Sequence, residues 1–409
     1  MRRDVLVIAH QYLPSDPRVG KSIAALDQAG AAVDVLCLRE SGQPFRGRMG
    51  RARLYRLPVR RHRGAGLLTY IAEYAAFFVL ASFAAAWLHV RRRYRVVVTH
   101  TLPDPLVFAA AVPRLLGARI VMDMHEFTPE LYETRYRLDR RHRLIRAMLA
   151  LERWSCRFAN TVVTVHDPGV DILARTGIPR ERIVVVMNSA DPSPGRDRER
   201  EWEREPDGEA RRPFTLIYHG TLVNQYDLET GVRALALLAE QGEHGFVLRV
   251  VGEGPGLGGL RELAAELGVE DRVRFEPPVP LARVPDILAR CDAGLVPMLD
   301  VRYAHVALPM KVLECMAAGL PVISNPTAVL THYFDDSSVC MVRFGDAGAL
   351  AGAMRRVRDD AKYRRELVRN ADEALHPIRW EVMARRFAEA CGLVVAAPET
   401  AAAAEARPT

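Results

Sequence analysis

The feature of this sequence that most constrains its fold is an alternation of short runs rich in Val and Ile with longer amphipathic stretches. Seven such runs precede residue 190, from DVLVIAH to RIVVVMN, and five follow residue 213, from FTLIYHG to PVISN. A β-branched run followed by a helix-length stretch is typical of βαβ units, in which parallel strands are covered by helices. The chain is therefore predicted to be an α/β protein with two series of these units.

The segment that separates the two series cannot form a core. Residues 191–213, DPSPGRDREREWEREPDGEARRP, are rich in Pro and charge and have almost nothing apolar to bury. A chain of 409 residues also suits two domains better than one. We predict an N-terminal Rossmann-like domain over 1–190, a charged linker over 191–213, a second Rossmann-like domain over 214–375, a C-terminal helix over 376–395 that packs back toward the N-terminal domain, and a disordered tail over 396–409.

Positive charge is concentrated in the first half of the chain. Residues 1–190 hold 30 Lys and Arg against 16 Asp and Glu, a balance of +14, whereas the remainder has a balance of −7. This asymmetry indicates either an anionic partner, such as a phospholipid surface, or a solvated surface without a partner. No nucleic-acid partner is expected, because the arginines are not interleaved with stacking aromatic residues.

One apolar segment, Tyr74 to Leu88, lies between the basic stretches RRHR and RRRYR. Its 15 residues are fewer than the roughly 20 that a membrane-spanning helix needs. Three interpretations stay open: a buried core helix, an interfacial helix anchored by the flanking arginines, and a membrane span. The sequence favours the core helix.

The cysteines indicate reduced thiols. They are scattered without a C-x-x-C pair or a metal-ligand spacing, so we expect neither disulfides nor zinc, and a cytoplasmic location. They are Cys37, Cys156, Cys291, Cys315, Cys340 and Cys391.

Two motifs imitate phosphate-binding loops. RVGKS ends like a P-loop, but Ser15 stands where that motif requires its first glycine. GPGLGG, Gly254 to Gly259, satisfies G-x-G-x-x-G, yet it follows the second strand of its series and contains Pro255. We predict neither site, and no cofactor. The absence of D-x-D, H-E-x-x-H and G-x-S-x-G sequences favours chemistry that needs no metal.

The stretch LPMKVLECMAAGLPVI, which begins at Leu308, resembles the donor-site motif of the retaining glycosyltransferases of family four. The segments PSDPRVGKSIAALDQAGAAVDVLC, DMHEFTPE and the run from VVGEGPG to GLVPM are also similar to segments of that family. The resemblance covers nearly the whole chain. It implies the GT-B fold, two Rossmann-like domains with a cleft between them, and an enzyme that moves a sugar from a nucleotide-diphosphate sugar to an acceptor hydroxyl with retention of configuration.

Within this motif, Lys311 and Glu314 are three residues apart and should project to one side of a helix that begins near Pro309. A carboxylate can accept hydrogen bonds from two neighbouring hydroxyls, as in a ribose diol, and an ammonium can neutralise a diphosphate. An ion pair of Lys311 with Glu314 that binds nothing is the alternative.

The resemblance implies two sets of site residues. The catalytic set is His125, Lys311, Arg18 and Asp16. The donor-binding set is Glu314, Gly220, Thr221, Gly252, Pro297, Leu308, Pro309 and Met310. Two alternatives stay open: His125 packs inside the domain without a catalytic role, and Asp16 and Arg18 only form a turn and a helix start.

The sequence departs from the family at three positions. Val306 stands where many members have a glutamate, and Thr221 and Asp227 lie about where an arginine and a lysine hold the diphosphate. Arg302, Lys311 or Arg18 is expected to supply the missing positive charge.

The resemblance further indicates a role in cell-surface glycan, polysaccharide or glycolipid biosynthesis. The acceptor would be a sugar, a lipid-linked molecule or a small molecule. The positive charge of the first half and the Tyr74–Leu88 segment, rather than the resemblance, indicate peripheral contact of the N-terminal domain with the inner face of the membrane. A nucleotide-sugar epimerase of the same fold and a degenerate nucleotide-sugar-binding protein are the alternatives.

Overall fold

The computed structural model describes residues 4–62, 67–190, 212–223 and 225–393, and the side chains of residues 67 and 68 are not described. Most of the predicted linker, 191–211, and the predicted tail, 396–409, lie outside the described residues. The chain forms two compact units. Unit 1 comprises Met1–Glu126, Ala147–Met187 and Glu381–Thr409, and unit 2 comprises Phe127–Arg146 and Asn188–Trp380.

Unit 1 is built on an eight-stranded sheet of order β3-β4-β2-β1-β5-β6-β7-β8. Every neighbouring pair is parallel except β3 and β4, as expected for a sheet made of βαβ units. The strands are β1 (Val5–Tyr12), β2 (Val33–Leu38), β3 (Arg46–Met49), β4 (Ala52–Leu57), β5 (Val96–His100), β6 (Arg119–Asp123), β7 (Thr161–Thr164) and β8 (Ile183–Val185).

The helices up to residue 190 occupy the connections between these strands. They are α1 (Pro17–Gln28), α2 (Leu67–Arg92), α3 (Ala111–Leu115), α4 (Thr128–Tyr136), α5 (Arg143–Phe158) and α6 (Asp167–Arg175), with short 3-10 helices at Asp104–Ala110 and Arg180–Arg182. β1 is buried over its first six residues, because helices cover both faces of the sheet.

Unit 2 contains a six-stranded parallel sheet of order β11-β10-β9-β12-β13-β14. Its strands are β9 (Phe214–His219), β10 (Phe246–Val251), β11 (Val273–Glu276), β12 (Ala293–Val296), β13 (Val322–Ser324) and β14 (Cys340–Met341). The remaining helices are α7 (Leu228–Glu240), α8 (Leu257–Glu266), α9 (Val284–Leu288), α10 (Met310–Ala317), α11 (Ala328–Tyr333), α12 (Ala347–Asp359), α13 (Ala361–Leu375) and α14 (Trp380–Ala390), with 3-10 helices at Leu281–Arg283, Arg302–His305 and His376–Ile378. The prediction of two α/β domains with parallel sheets is confirmed.

The order of strands fixes where a ligand can bind in each sheet. In unit 1 the chain proceeds from β1 to β2 and later continues on the other side of β1 with β5; in unit 2 it does the same around β9, with β10 and β12. Connections diverge at such a reversal and leave a crevice at the carboxyl ends of the strands. The residues that follow β1 and β9 are therefore placed at these crevices.

The apolar segment folds differently from the favoured prediction. It lies in α2, a helix of 26 residues that is long and apolar enough to cross a membrane by length and composition, and whose most apolar window is only 28% buried. Phe77, Ala81, Ala85 and Leu88 are buried on one side, whereas Phe83 on the other is 73% exposed. The prediction of a buried core helix is wrong, because a helix that is apolar all round gives no periodicity to show which sides are covered.

Two glycines in unit 2 permit a close approach of backbones. Gly252 and Gly254 both have φ of +155°, and a Cβ on either would collide with a backbone carbonyl oxygen, that of Gly220 or that of Leu222. The turn after β10 can therefore lie directly against the turn after β9 only while these positions lack side chains. Backbone packing therefore explains why Gly254, the first glycine of the G-x-G-x-x-G match, is a glycine.

We expect Gly252→Ala to lower the free energy of unfolding by about 1–3 kcal/mol, because the added methyl group must displace a backbone carbonyl. Gly258→Ala is the matched control, since it lies in α8 with open space around its Cβ position. That substitution should leave stability unchanged or raise it by about 0.5–1 kcal/mol. Denaturant unfolding of both variants tests the comparison, and equal midpoints would contradict it.

Candidate functional site

A cavity of about 390 Å³ opens at the carboxyl ends of β9 and β10 in unit 2. Its volume falls in the range of small-molecule sites, and its position follows from the reversal of strand order beside β9. The lining residues come from four stretches of chain: the turns after β9 and β10, the loop and short helices after β11, and the start of α10. They are His219, Gly220, Thr221, Tyr226, Val251, Gly252, Glu253, Pro278, Val279, Leu281, Val284, Met310, Lys311 and Glu314.

Helix α10 presents its two charged residues to this cavity. Pro309 occupies the N-cap position, and the opposite side of the helix is fixed in the core by Val312, Leu313, Cys315 and Met316. With that side buried, Lys311 and Glu314 both line the cavity. The predicted placement of the two residues on one side of a helix is therefore what the structure shows.

The Lys311 ammonium lies among aromatic rings. Its Nζ atom is 3.7 Å from the ring centroid of Tyr226 and 4.8 Å from that of Tyr218, which are cation–π distances. Burial lowers the pKa of Lys311 to about 7, against the opposing influence of Glu314. An incoming anion would stabilise the charged form.

Glu314 lies beside a histidine at the end of β9. Its Oε2 atom lies 3.2 Å from Nε2 of His219. Burial, with the nearby charge of Lys311, lowers the pKa of His219 to about 4, so the imidazole is neutral near pH 7. A neutral ring beside the carboxylate leaves the negative charge of Glu314 uncompensated from this side.

The turn after β9 brings backbone close to Lys311. Gly220 has φ of +104°, and a Cβ there would lie only 3.5 Å from Cε of the lysine. Beside it, the carbonyl of Thr221 accepts a hydrogen bond of 2.7 Å from the hydroxyl of Tyr218. The side chain of Thr221 lines the cavity and is neutral, whereas related proteins are expected to carry a cation at this position.

Three predicted donor-binding residues are not among those that line the cavity. Pro297 accepts a backbone hydrogen bond from Asp227 at 3.0 Å, Pro309 caps α10, and Leu308 precedes it. Asp227 itself caps α7, with Oδ1 accepting from the backbone N–H of Thr230 at 3.2 Å. It thus has a structural role at the position where the family pattern has a cation.

In unit 1, Arg18 forms a buried ion pair rather than an exposed contact. Its Nη2 and Nε atoms donate to the two oxygens of Asp123 at 2.7 and 3.2 Å, and its Nη1 donates to the carbonyl of Val186 at 2.9 Å. Burial alone would raise the pKa of Asp123, but the Arg18 guanidinium and the neighbouring imidazoles of His100 and His125 hold it well below its usual range. Arg18 is therefore positioned by a carboxylate that the sequence did not reveal.

Two histidines complete this cluster at the carboxyl ends of β5 and β6. Nδ1 of His100 lies 3.1 Å from Asp123 and 2.9 Å from Nε2 of His125, which is partly exposed. Burial lowers the pKa of His100 although Asp123 opposes the shift. The network fixes the ring of His125, whose backbone N–H also donates to the Thr101 hydroxyl at 3.1 Å.

The ligating atoms of His100, Asp123 and His125 lie within 4.8 Å of one another, so the cluster has a composition that can bind a metal ion. Both oxygens of Asp123 already accept from Arg18, and a guanidinium at that distance opposes the approach of a dication. We therefore interpret the cluster as a charge network that orients His125.

Two further predicted residues have local partners. The side chain of Asp16 caps α1 by accepting from the backbone N–H of Val19 at 2.9 Å, the structural alternative considered for it. Arg302, expected as a replacement cation, instead pairs with the buried Glu133 at 2.9 Å. Of the three candidate replacements, Lys311 is the one that lines the cavity.

Sequence analysis missed Asp123, His219 and Tyr226. His219 ends β9 as His125 follows β6, so a search for polar residues at strand ends would have found it. No comparable signal marks Tyr226, which approaches Lys311 from the loop before α7.

Comparison with known families agrees with this geometry. Residues 16–189 match the model described as a glycosyl transferase 4-like domain, and residues 199–374 match the model of the glycosyl transferases group 1. Together the two models match most of the chain.

The chain belongs to the group 1 glycosyltransferases. Among curated relatives of this glycosyltransferase, the 2-deoxystreptamine N-acetyl-D-glucosaminyltransferase of Streptomyces fradiae is 29% identical over 71% of this chain and 69% of its own. The D-inositol 3-phosphate glycosyltransferase of Thermomonospora curvata is 29% identical over 56% of this chain and 50% of its own.

Solved structures show the same fold. Sucrose-phosphate synthase from Thermosynechococcus elongatus has a TM-score of 0.70 at 19% identity, covering 95% of this chain and 98% of that one. The Anabaena protein HepE, solved in complex with UDP-glucose, has a TM-score of 0.68 at 16% identity, covering 95% of this chain and all of that one. The GT-B fold predicted from the sequence is confirmed.

We expect Asp123→Asn to destabilise this glycosyltransferase by about 3–5 kcal/mol, because it leaves the buried Arg18 charge without its counter-ion. Asp27→Asn is the control: Asp27 pairs with the exposed Arg51 at 3.6 Å, and its loss should cost no more than about 1 kcal/mol. Denaturant unfolding above pH 5 measures both, and equal losses would contradict the assignment.

Proposed function

We propose that the protein transfers a sugar from a nucleoside-diphosphate sugar to an acceptor hydroxyl with retention of anomeric configuration. The observation that carries this proposal is that Lys311 and Glu314 line one cavity of nucleotide-compatible size at the reversal of strand order in unit 2. A cation and a carboxylate one helical turn apart match the two polar parts of a nucleoside diphosphate, its phosphates and its ribose diol.

In this proposal Glu314, which lies beside His219, binds the ribose hydroxyls, and Lys311 binds the diphosphate. The amino end of α10, beside Met310, adds partial positive charge on the phosphate side. The similarity in fold to HepE, which was solved with UDP-glucose, supports a nucleotide sugar as the donor.

The proposed transfer breaks the bond between the anomeric carbon and the diphosphate oxygen and forms a bond from that carbon to the acceptor oxygen on the same face. The acceptor's proton passes to the departing diphosphate. The enzyme then contributes positioning and stabilisation of negative charge, which Lys311 supplies without requiring a metal. His125 remains a predicted contributor from unit 1.

The acceptor and setting are also proposals. The relatives' names refer to 2-deoxystreptamine, to D-inositol 3-phosphate and to lipopolysaccharide core biosynthesis, which supports a hydroxyl on a polar small molecule or a surface glycan as the acceptor. Six buried free thiols support a reducing, cytoplasmic setting.

A donor panel with product analysis tests the proposal. The purified chain is incubated with UDP-, GDP-, ADP- and dTDP-sugars and a pool of sugar and cyclitol acceptors, and product configuration is read by NMR. An inverted product would overturn retention. An epimer formed from donor alone would favour the epimerase, and donor binding without nucleotide release with any acceptor would favour the binding protein.

We expect Glu314→Gln to weaken donor binding about 10- to 100-fold, since it removes a charged acceptor from the ribose hydroxyls. Glu266→Gln, at the exposed end of α8, is the matched control and should bind like the wild type. Calorimetric titration with the nucleoside diphosphate measures both variants. Unchanged affinity in Glu314→Gln would remove the assigned role of this residue.

We expect donor binding to take up protons in alkaline solution. Because the free-state pKa of Lys311 is lowered to about 7 and a diphosphate would raise it, binding should take up close to one proton at about pH 8 and close to none at about pH 6. Affinity should accordingly fall as pH rises through 7. Calorimetry in buffers of different ionisation enthalpy measures the uptake, and Lys311→Arg should abolish it while keeping the charge.

A further inference from the structure

The outer surface of unit 1 carries an unusual concentration of exposed apolar side chains. Within the described residues, eleven of the sixteen exposed large apolar side chains lie on α2, on α3 with the residue after it, or on α5 beyond Ala147. We call these residues the apolar face: Ile71, Val79, Leu80, Phe83, Trp87, Val90, Val112, Leu115, Leu116, Leu151 and Trp154. Single exposed apolar residues are normal, whereas a cluster of this extent marks an interaction surface.

These helices share one side of the sheet. They connect β4 to β5, β5 to β6 and β6 to β7, and all three connections run in the same direction across the sheet. Right-handed crossovers therefore place them on the same side. Direct contacts join them: α2 packs against α3, and the guanidinium of Arg114 on α3 lies 4.4 Å from the ring centroid of Phe158 on α5.

On the three helices that form the apolar face, the exposed charges have one sign. The only acidic residues on the three helices are Glu73 and Glu152, and both are buried. Arg91, Arg153 and Arg157 are exposed, and Arg91 stacks 4.1 Å from the ring centroid of Trp87. Helices that present tryptophan, aliphatic side chains and, among their exposed charges, only positive ones complement an anionic lipid surface.

We propose that the apolar face docks unit 1 on the surface of a bilayer that contains anionic phospholipid. Phe83, Trp87 and Leu115 enter the interface between headgroups and acyl chains, and the arginines contact the phosphates. A second copy of the chain is a poorer occupant, because two-fold pairing would bring like charges together.

α2 lies along this surface and does not cross it. Phe77, Ala81, Ala85 and Leu88 are buried within unit 1. Near its start, Glu73 accepts from the backbone N–H of His62 at 2.9 Å and lies 3.4 Å from Nε2 of His10. A crossing helix would have to give up these contacts and expose Glu73 to lipid.

Co-sedimentation of the full chain with vesicles tests the proposal without donor or acceptor, so its outcome is independent of the transferase proposal. The vesicles are phosphatidylcholine alone, or phosphatidylcholine with one third phosphatidylglycerol. We expect the wild type to bind the anionic vesicles at least about tenfold better than the neutral ones. Trp87 and Trp154 should report the contact through a blue shift in emission.

The double variant Phe83→Glu with Trp87→Glu should lose this binding, since both side chains are exposed and contribute little to folding. Phe45→Glu is the matched control: Phe45 is 47% exposed beside β3, at the far edge of the sheet, and its variant should bind like the wild type. Circular dichroism checks that both remain folded.

Three results would overturn the proposal. The first is that the wild type fails to sediment with the anionic vesicles, or that the double variant sediments with them as well as the wild type does. The second is a dimer in solution that the double variant disrupts while no vesicle binding occurs, which would assign the face to a second copy. The third is membrane association that resists alkaline carbonate, which would indicate a spanning helix.

Discussion

The candidate site depends on one unfavourable placement, that of a lysine ammonium packed against aromatic rings, where it loses part of its hydration. The rings of Tyr218 and Tyr226 compensate only part of the lost hydration, as the lowered pKa of Lys311 shows. Such a group is stabilised fully only when an anion enters. The poor solvation of Lys311 therefore lowers the stability of the ligand-free protein and strengthens the binding of a phosphate ligand. Stability and function are commonly opposed in this way at binding sites.

The two units arrange polar groups in a similar way at the carboxyl ends of their strands. In unit 1 a strand-end histidine, His100, lies against Asp123, and in unit 2 His219 lies against Glu314. The difference is in the counter-charge. Asp123 is neutralised by Arg18 in a closed, buried network, whereas Glu314 faces a cavity. The first carboxylate is therefore a positioning group, and the second lines a cavity that a ligand can enter.

The sequence predicted the fold well because apolar runs of β-branched residues at regular spacing leave few alternatives. It missed β3, whose residues Arg46–Met49 alternate in exposure on an edge, and β14, which has only two residues. It placed Lys311 and Glu314 correctly because their spacing on one helix is a local property. It could not place Asp123 beside Arg18, since that pair joins residues 105 positions apart through the order of strands. The exposed face of α2 could not be predicted either, because composition alone does not show which sides of an apolar helix are covered.

Unit 1 is discontinuous along the chain, and this affects how it is made. Its sheet ends at β8, yet α14 contributes Phe387 to its core, and the backbone N–H of Met187 donates to the sulfur of Met383 at 3.1 Å. During synthesis the ribosome must translate all of unit 2 before these last residues exist. Until unit 2 has been synthesised, unit 1 would lack α14 and would expose the apolar surface that α14 covers. Chaperone dependence is a natural outcome of that order.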